Sequence, residues 1–247
     1  MKLLQHHKMV LFDHDGTAVD SETIALKSAW RLTNEAAREF PGAQHYELED
    51  FVKSFAGKPY REILKKIYAD SLTTINERDV DRLVAQEEKR AIERLSVEAK
   101  ATEGTPEVLS YLRDDGFEYA LVSNSSLERL SACLTAAALT DYFPSQRIFS
   151  AHDSLPVPCP KPLPDIYLHA VKCLDADVSD CVAVEDSLSG VRAAVAAGIG
   201  QIIGYVGGTH ISENERRSRA DALVSAGAQQ VIERMHDLIG LLSAIPV

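Results

Sequence analysis

Polar and apolar positions along this chain follow two rhythms. Met9–Phe12, Tyr119–Val122, Ile148–Phe149, Cys181–Val184 and Ile199–Tyr205 are short apolar runs bounded by turn residues. Continuous runs of this kind mark strands buried on both faces. Ala222–Val224 reads as a last strand of the same type. Between these runs the spacing turns helical, over Pro106–Asp114, Leu127–Ala137, Asp165–Cys173, Ser187–Ala197 (closed by Gly198) and Gln230–Leu242. Residues 20 to 94 break the alternation. They are dense in Glu, Lys and Arg, and apolar residues such as Ile63, Leu64, Ile67 and Tyr68 recur at helical spacing. Ser21 reads as the N-cap of a helix running to Phe40, with Pro41-Gly42 ending it. No strand is expected in this block.

Strands that alternate with helices predict an α/β fold, a Rossmann-like parallel sheet with helices on both faces. The helical block reads as a small cap domain inserted after the first strand. The expected division is a core over residues 1–19 and 96–247 and a cap over 20–95. No internal repeat or low-complexity tract interrupts it.

Composition narrows the partners. The 247 residues carry a formal net charge of −11, which repels nucleic acid and anionic membranes. A phosphorylated ligand would need a local positive site. Cys133, Cys159, Cys173 and Cys181 form no CxxC pair and read as reduced, buried thiols of a cytoplasmic protein. The N-terminal apolar stretch is broken by Gln5, His6, His7 and Lys8, so no signal-peptide core is expected. His6 and His7 read as polar residues ahead of a strand, not as a metal pair. No apolar run is long enough to span a bilayer. A monomer is expected, with a dimer as the alternative.

In an open parallel sheet ligands bind at the carboxyl ends of the strands. Here those ends carry DHDGT (13–17), SNSS (123–126) and EDS (185–187), and the loop CPKPLPD (159–165) follows the strand at Ile148. Asp13, Glu185 and Asp186 offer hard oxygen ligands suited to Mg²⁺. Lys161 supplies a compact positive charge, and Thr17, Ser123 and the amides after it supply donors for a phosphate. With metal and lysine present, an aspartate can approach phosphorus, and Asp13 is the candidate nucleophile. Asp15 is placed to protonate a leaving alcohol and then to deprotonate water.

The order DxDGT, Ser-Asn, KPxPDIY, EDS resembles the haloacid dehalogenase-like hydrolase superfamily along essentially the whole chain. The position of the helical block resembles the branch that holds sugar phosphatases, β-phosphoglucomutase and phosphonoacetaldehyde hydrolase. The resemblance implies that Asp13 is nucleophile and metal ligand. It makes Asp15 acid/base and a metal ligand through its backbone carbonyl. Thr17, Ser123, Asn124 and Lys161 are then the phosphate-binding set. Asp186 is a metal ligand, and Glu185 one directly or through water.

Asp15 favours phosphate esters over dehalogenation. Phosphonoacetaldehyde hydrolases need an imine-forming cap lysine; Lys53 and Lys58 are available, but an intact Asp15 argues against that chemistry. The mutase pattern puts a lysine before the cap-loop glycine, and here Ala56 precedes Gly57. The reading is therefore a phosphatase of a small phosphorylated metabolite, a sugar or sugar-acid phosphate, with a β-phosphoglucomutase-like mutase as the alternative. Gly57, Lys58 and Arg61 are the cap residues expected to meet the substrate. A catalytically idle effector- or protein-binding member of the fold is the non-enzyme alternative, and the complete set of catalytic groups speaks against it.

Other polar residues take plainer readings. Asp20 reads as a hinge and Glu22 as a first-turn acid. His14 should point away from the site, Trp30 should pack within the cap, and Asp153 beside His152 should hold a loop. Arg192 reads as a surface residue and Gly207–His210 as a strand-to-helix turn.

Overall fold

The computed structural model describes residues 9–40, 44–55, 58–69 and 75–243. The readings placed on His6, His7, Pro41, Gly42, Ala56 and Gly57 lie outside the described residues.

Strand β1 (Met9–Phe12) is followed by a two-residue strand β2 (Val19–Asp20) and helices α1 (Glu22–Glu39), α2 (Leu48–Phe55), α3 (Tyr60–Ala69) and α4 (Glu77–Glu98). Then come β3 (Lys100–Ala101), α5 (Thr105–Asp114), β4 (Glu118–Ser123), α6 (Leu127–Ala136) and β5 (Ile148–Ser150). The chain continues through α7 (Asp165–Cys173), β6 (Cys181–Glu185), α8 (Leu188–Ala197) and β7 (Gln201–Tyr205). It closes with α9 (Glu213–Ala226), β8 (Gln230–Ile232) and α10 (Asp237–Ser243). Among the described residues, no helix is long and apolar enough to cross a membrane.

The main sheet has the order β5-β4-β1-β6-β7-β8, and every pairing in it is parallel. Successive strand residues face opposite sides, so an all-apolar strand feeds two cores. Val10 and Phe12 join Leu121, Val182 and Val184 in one cluster, covered by Leu109, Leu130 and Leu238 of α5, α6 and α10. Met9 and Leu11 join Ala120, Val122 and Ala183 in the other, covered by Ile166, Val191 and Leu223 of α7, α8 and α9. The first strand in sequence thus lies in the middle of the sheet. The chain leaves it in one direction to β4 and in the other to β6, which opens a crevice at their carboxyl ends.

Helices α1 to α4 bury a third cluster that includes Leu26, Leu32, Phe51, Phe55, Ile63, Leu64, Val80 and Leu83. Helix α4 serves two clusters. Its Val80 and Leu83 lie in the third, and its Ala91 and Leu95 lie in the first.

Four expectations need correction. Ala222–Val224 is not a strand but the last part of α9, which a capping box at Ser212 and Glu215 starts and Gly227 ends. Leu223 is buried there while Val224 is 54% exposed, a helical rather than an extended pattern. The last strand is β8, so Gln230 begins a strand and the final helix begins at Asp237. The block from residue 20 is not strandless, because Asp20 pairs with Lys100 in an antiparallel ribbon. The four cysteines are free as expected, but only Cys133 and Cys181 are buried.

Candidate active site

The site grows from the end of β1. The Asp13 amide donates to the Val184 carbonyl at 2.9 Å, which carries the sheet's pairing one residue past the strand. The chain then folds back. Val19 N donates to His14 O at 3.0 Å, and Gly16 turns the corner at φ +81°. A side chain at Gly16 would be strained there, and its Cβ would lie 2.4 Å from Asp186 Oδ2. The tight turn therefore brings the first and last acidic motifs together.

Lys161 ties the charges to one another. Its Nζ donates to Asp13 Oδ1 at 2.6 Å, to Glu185 Oε1 at 2.6 Å and to the Val122 carbonyl at 2.8 Å. Its backbone N donates to Asn124 Oδ1 at 2.8 Å, so Asn124 pins the lysine loop to the end of β4. Glu185 is fully buried and also accepts from the Tyr167 hydroxyl at 2.7 Å and from Ser187 Oγ at 3.2 Å. Oxygens of Asp13, Glu185 and Asp186 lie within 4.8 Å of one another, and all three residues are buried.

Three buried acids thus face one ammonium. Burial, and then the charge of Glu185, push the Asp13 carboxyl well above its usual range, with Lys161 pulling the other way. A nucleophilic aspartate has to be ionised. A divalent cation among these oxygens would supply the missing positive charge, and the all-oxygen donor set suits a hard ion. Burial works against charging Lys161, but Asp13 and Glu185 outweigh it and hold the ammonium above its ordinary value.

Asp15 has different surroundings. Its Oδ1 accepts from Ser21 Oγ at 2.6 Å and from Arg129 at 2.9 Å, and its Oδ2 accepts from Ser125 Oγ at 2.6 Å. Burial would raise this carboxyl, but Arg129 and then His14 hold it well below the usual range. His14 is a correction. It is buried with Nδ1 3.4 Å from Asp15 Oδ2, so it faces Asp15 and does not point away. Strand alternation does not apply, because β1 has ended and His14 sits in the turn.

The other candidates are placed as follows. Ser123 is 1% exposed, and its Oγ accepts from Ser125 N at 3.1 Å. The Thr17 hydroxyl is buried and has no hydrogen-bond partner among the described residues. Lys58 is exposed, with its ammonium 6.0 Å from the Phe55 ring centre. Arg61 is engaged by Glu77 at 3.1 Å and by Asp81, both on α4. The Trp30 indole donates to the Tyr46 carbonyl at 2.7 Å. Asp153 accepts from Leu127 N at 2.6 Å and lies 2.8 Å from His152, which fixes its loop to the start of α6. Arg192 is exposed on α8.

Four residues at the site escaped the sequence reading: Ser125, Arg129, Tyr167 and His210. Ser125 and Tyr167 stand inside quoted motifs, SNSS and KPxPDIY, and that proximity was the available signal. Arg129 resembles any helix-surface charge until its partner Asp15, far away in sequence, is known.

The helical insertion after β1 and the acid-rich carboxyl edge of β1 and β6 define an α/β protein of parallel-sheet type with a helical cap over its candidate site. Residues 7–198 match the model of the haloacid dehalogenase-like hydrolases, and the chain belongs to that family. It is 26% identical to 6-phosphogluconate phosphatase of Escherichia coli over 77% of this chain and 79% of the relative. It is 29% identical to the phosphorylated carbohydrates phosphatase of Thermotoga maritima over 91% of this chain and 93% of the relative. Among solved structures, a haloacid dehalogenase-like protein of unknown function from Agrobacterium tumefaciens superposes with a TM-score of 0.78 at 34% identity, covering 96% of this chain and 98% of that one.

Proposed function

We propose that this protein is a magnesium-dependent phosphatase of a small phosphorylated sugar or sugar acid, with Asp13 as the covalent nucleophile. The observation that carries the reading is Lys161, which bonds Asp13 and Glu185 at 2.6 Å each beside Asp186. A lysine and an acid-bound cation aimed at one aspartate form a receptor for a phosphate dianion.

In this reading residues 1–19 and 96–247 form the core and residues 20–95 the cap. Asp13, Asp186 and the Asp15 backbone carbonyl hold the Mg²⁺. The Glu185 oxygens accept from Lys161, Tyr167 and Ser187, which supports a Glu185 contact with the ion through water over a direct one. The ion supplies positive charge against the phosphate oxygens and Asp13. Lys161, Ser123, Asn124 and Thr17 seat the phosphate. An Asp13 carboxylate oxygen bonds to phosphorus as the ester P–O bond breaks, and the leaving oxygen takes a proton from Asp15. Asp15 then takes a proton from the water that attacks the aspartyl-phosphate, and inorganic phosphate leaves. The Arg129 contact favours the Asp15 carboxylate, so substrate entry must loosen that pairing before Asp15 can carry a proton. Gly57, Lys58 and Arg61 remain the cap candidates for the rest of the substrate.

The test is free-phosphate release from a panel of phosphorylated sugars, sugar acids and polyols. Chelator should abolish release, and Asp13→Asn should lower it by at least about 10³-fold. Activity that survives either treatment rules the mechanism out. Isomerised sugar phosphate without free phosphate would select the mutase instead.

A further inference from the structure

We propose that His210 is a positioning residue of the metal centre, whose Nε2–H holds Asp186 and thereby sets the affinity for the divalent ion. The inference rests on the reading of Asp186 as a metal ligand.

His210 lies in the loop between β7 and α9, in the Gly-Gly-Thr-His stretch whose turn shape alone gives it no role. Its side chain is 5% exposed, and Nε2 lies 3.1 Å from Asp186 Oδ2. Its Nδ1 is buried without a partner among the described residues. Two glycines keep the space for the ring. A Cβ at Gly16 or at Gly208 would each lie 2.6 Å from His210 Cε1. The next residue back anchors the loop, since Thr209 Oγ1 donates to the Asp20 carboxylate. The imidazole is therefore packed from the nucleophile turn on one side and from its own loop on the other.

A carboxylate that binds a metal needs its orientation fixed, and an N–H donor on one oxygen does this. Asp13 and Glu185 have Lys161 for that purpose. For Asp186, His210 fills the corresponding place. The contact requires only a proton on Nε2.

The test uses the full-length protein and Mn²⁺ alone, with free Mn²⁺ followed by electron paramagnetic resonance. His210→Phe keeps the ring volume and removes the donor. It should weaken Mn²⁺ binding about 10- to 100-fold. His210→Gln restores an N–H donor and should recover most of the loss. Where phenylalanine prevents folding, checked by circular dichroism, His210→Ala removes the donor without the bulk and is read in its place. Wild-type Mn²⁺ affinity in the donor-less variant overturns the proposal, and so does a glutamine variant as weak as it. Nitrogen hyperfine structure on bound Mn²⁺ that vanishes in His210→Ala would make His210 a direct ligand, which also overturns positioning. A wild-type protein that binds no Mn²⁺ defeats the metal reading of the site itself, a different failure from one confined to the variants.

Discussion

Gly190 shows how tightly single residues are committed around the buried acids. It stands in α8, where alanine would ordinarily be preferred to glycine by about 1 kcal/mol. A Cβ there would lie 1.8 Å from Glu185 Oε2. Glu185 cannot step aside, because Lys161 and Tyr167 hold its other oxygen. Clash therefore wins over propensity, and Gly190→Ala should lower both the melting temperature and phosphate release. Gly240 in α10 is the control, since nothing lies within 4 Å of its added Cβ. Gly240→Ala should raise the melting temperature by about 2–4 °C. Equal responses of the two variants would refute the argument. The same residue-level contacts explain what a reader of the sequence can and cannot find. Asp13, Lys161 and Asp186 stand out because their motifs cluster at strand ends. His14, Arg129 and His210 do not, since each gains meaning only from a partner that the turn at Gly16 or the crossing of α6 brings close.

At the scale of elements, the seam between α4 and α6 carries charge into the interior. Ser126 Oγ donates to Glu88 Oε1 at 2.6 Å, while Glu87 of α4 is 6% exposed and lies in the field of Arg129 on α6. Burial pushes the Glu87 carboxyl up to about 7 from an ordinary 4.5, against the pull of Arg129. Below pH 4.5 the group is protonated in both folded and unfolded chains and has no effect on stability. Between pH 4.5 and about 7 the unfolded chain releases the proton and the folded one keeps it, so stability falls as pH rises. Above that window the loss is constant, on the order of 3 kcal/mol. Glu87→Gln should melt with the wild type near pH 4.5 and several degrees above it at pH 8. Parallel melting profiles across this range would sink the claim. Elements also mark the limit of pattern reading. The parallel strands were legible because double burial makes them continuously apolar. The last strand was not, because Gln230 opens it with a polar residue while Ala222–Val224 mimics a strand inside α9.

At the scale of the whole molecule, the question is whether the helical insertion and the sheet unfold as one. The order of elements in the sequence suggests an inserted unit, yet the packing joins it to the rest through α4. Leu83 is 1% exposed in the cluster of α1 to α4, and Leu95, on the same helix, is fully buried in the cluster under the sheet. A continuous helix cannot lose one cluster without loosening its register in the other. Leu83→Ala and Leu95→Ala should each cost about 2–5 kcal/mol. Both should shift one cooperative calorimetric transition downward, and neither should split it. A second, lower transition in Leu83→Ala alone would show that the insertion melts independently. Joint unfolding also has a functional meaning. Arg129, which holds Asp15, sits on α6 against α4, so any movement of the helical layer reaches Asp15, the proposed acid/base group, through the same seam that binds the two clusters together.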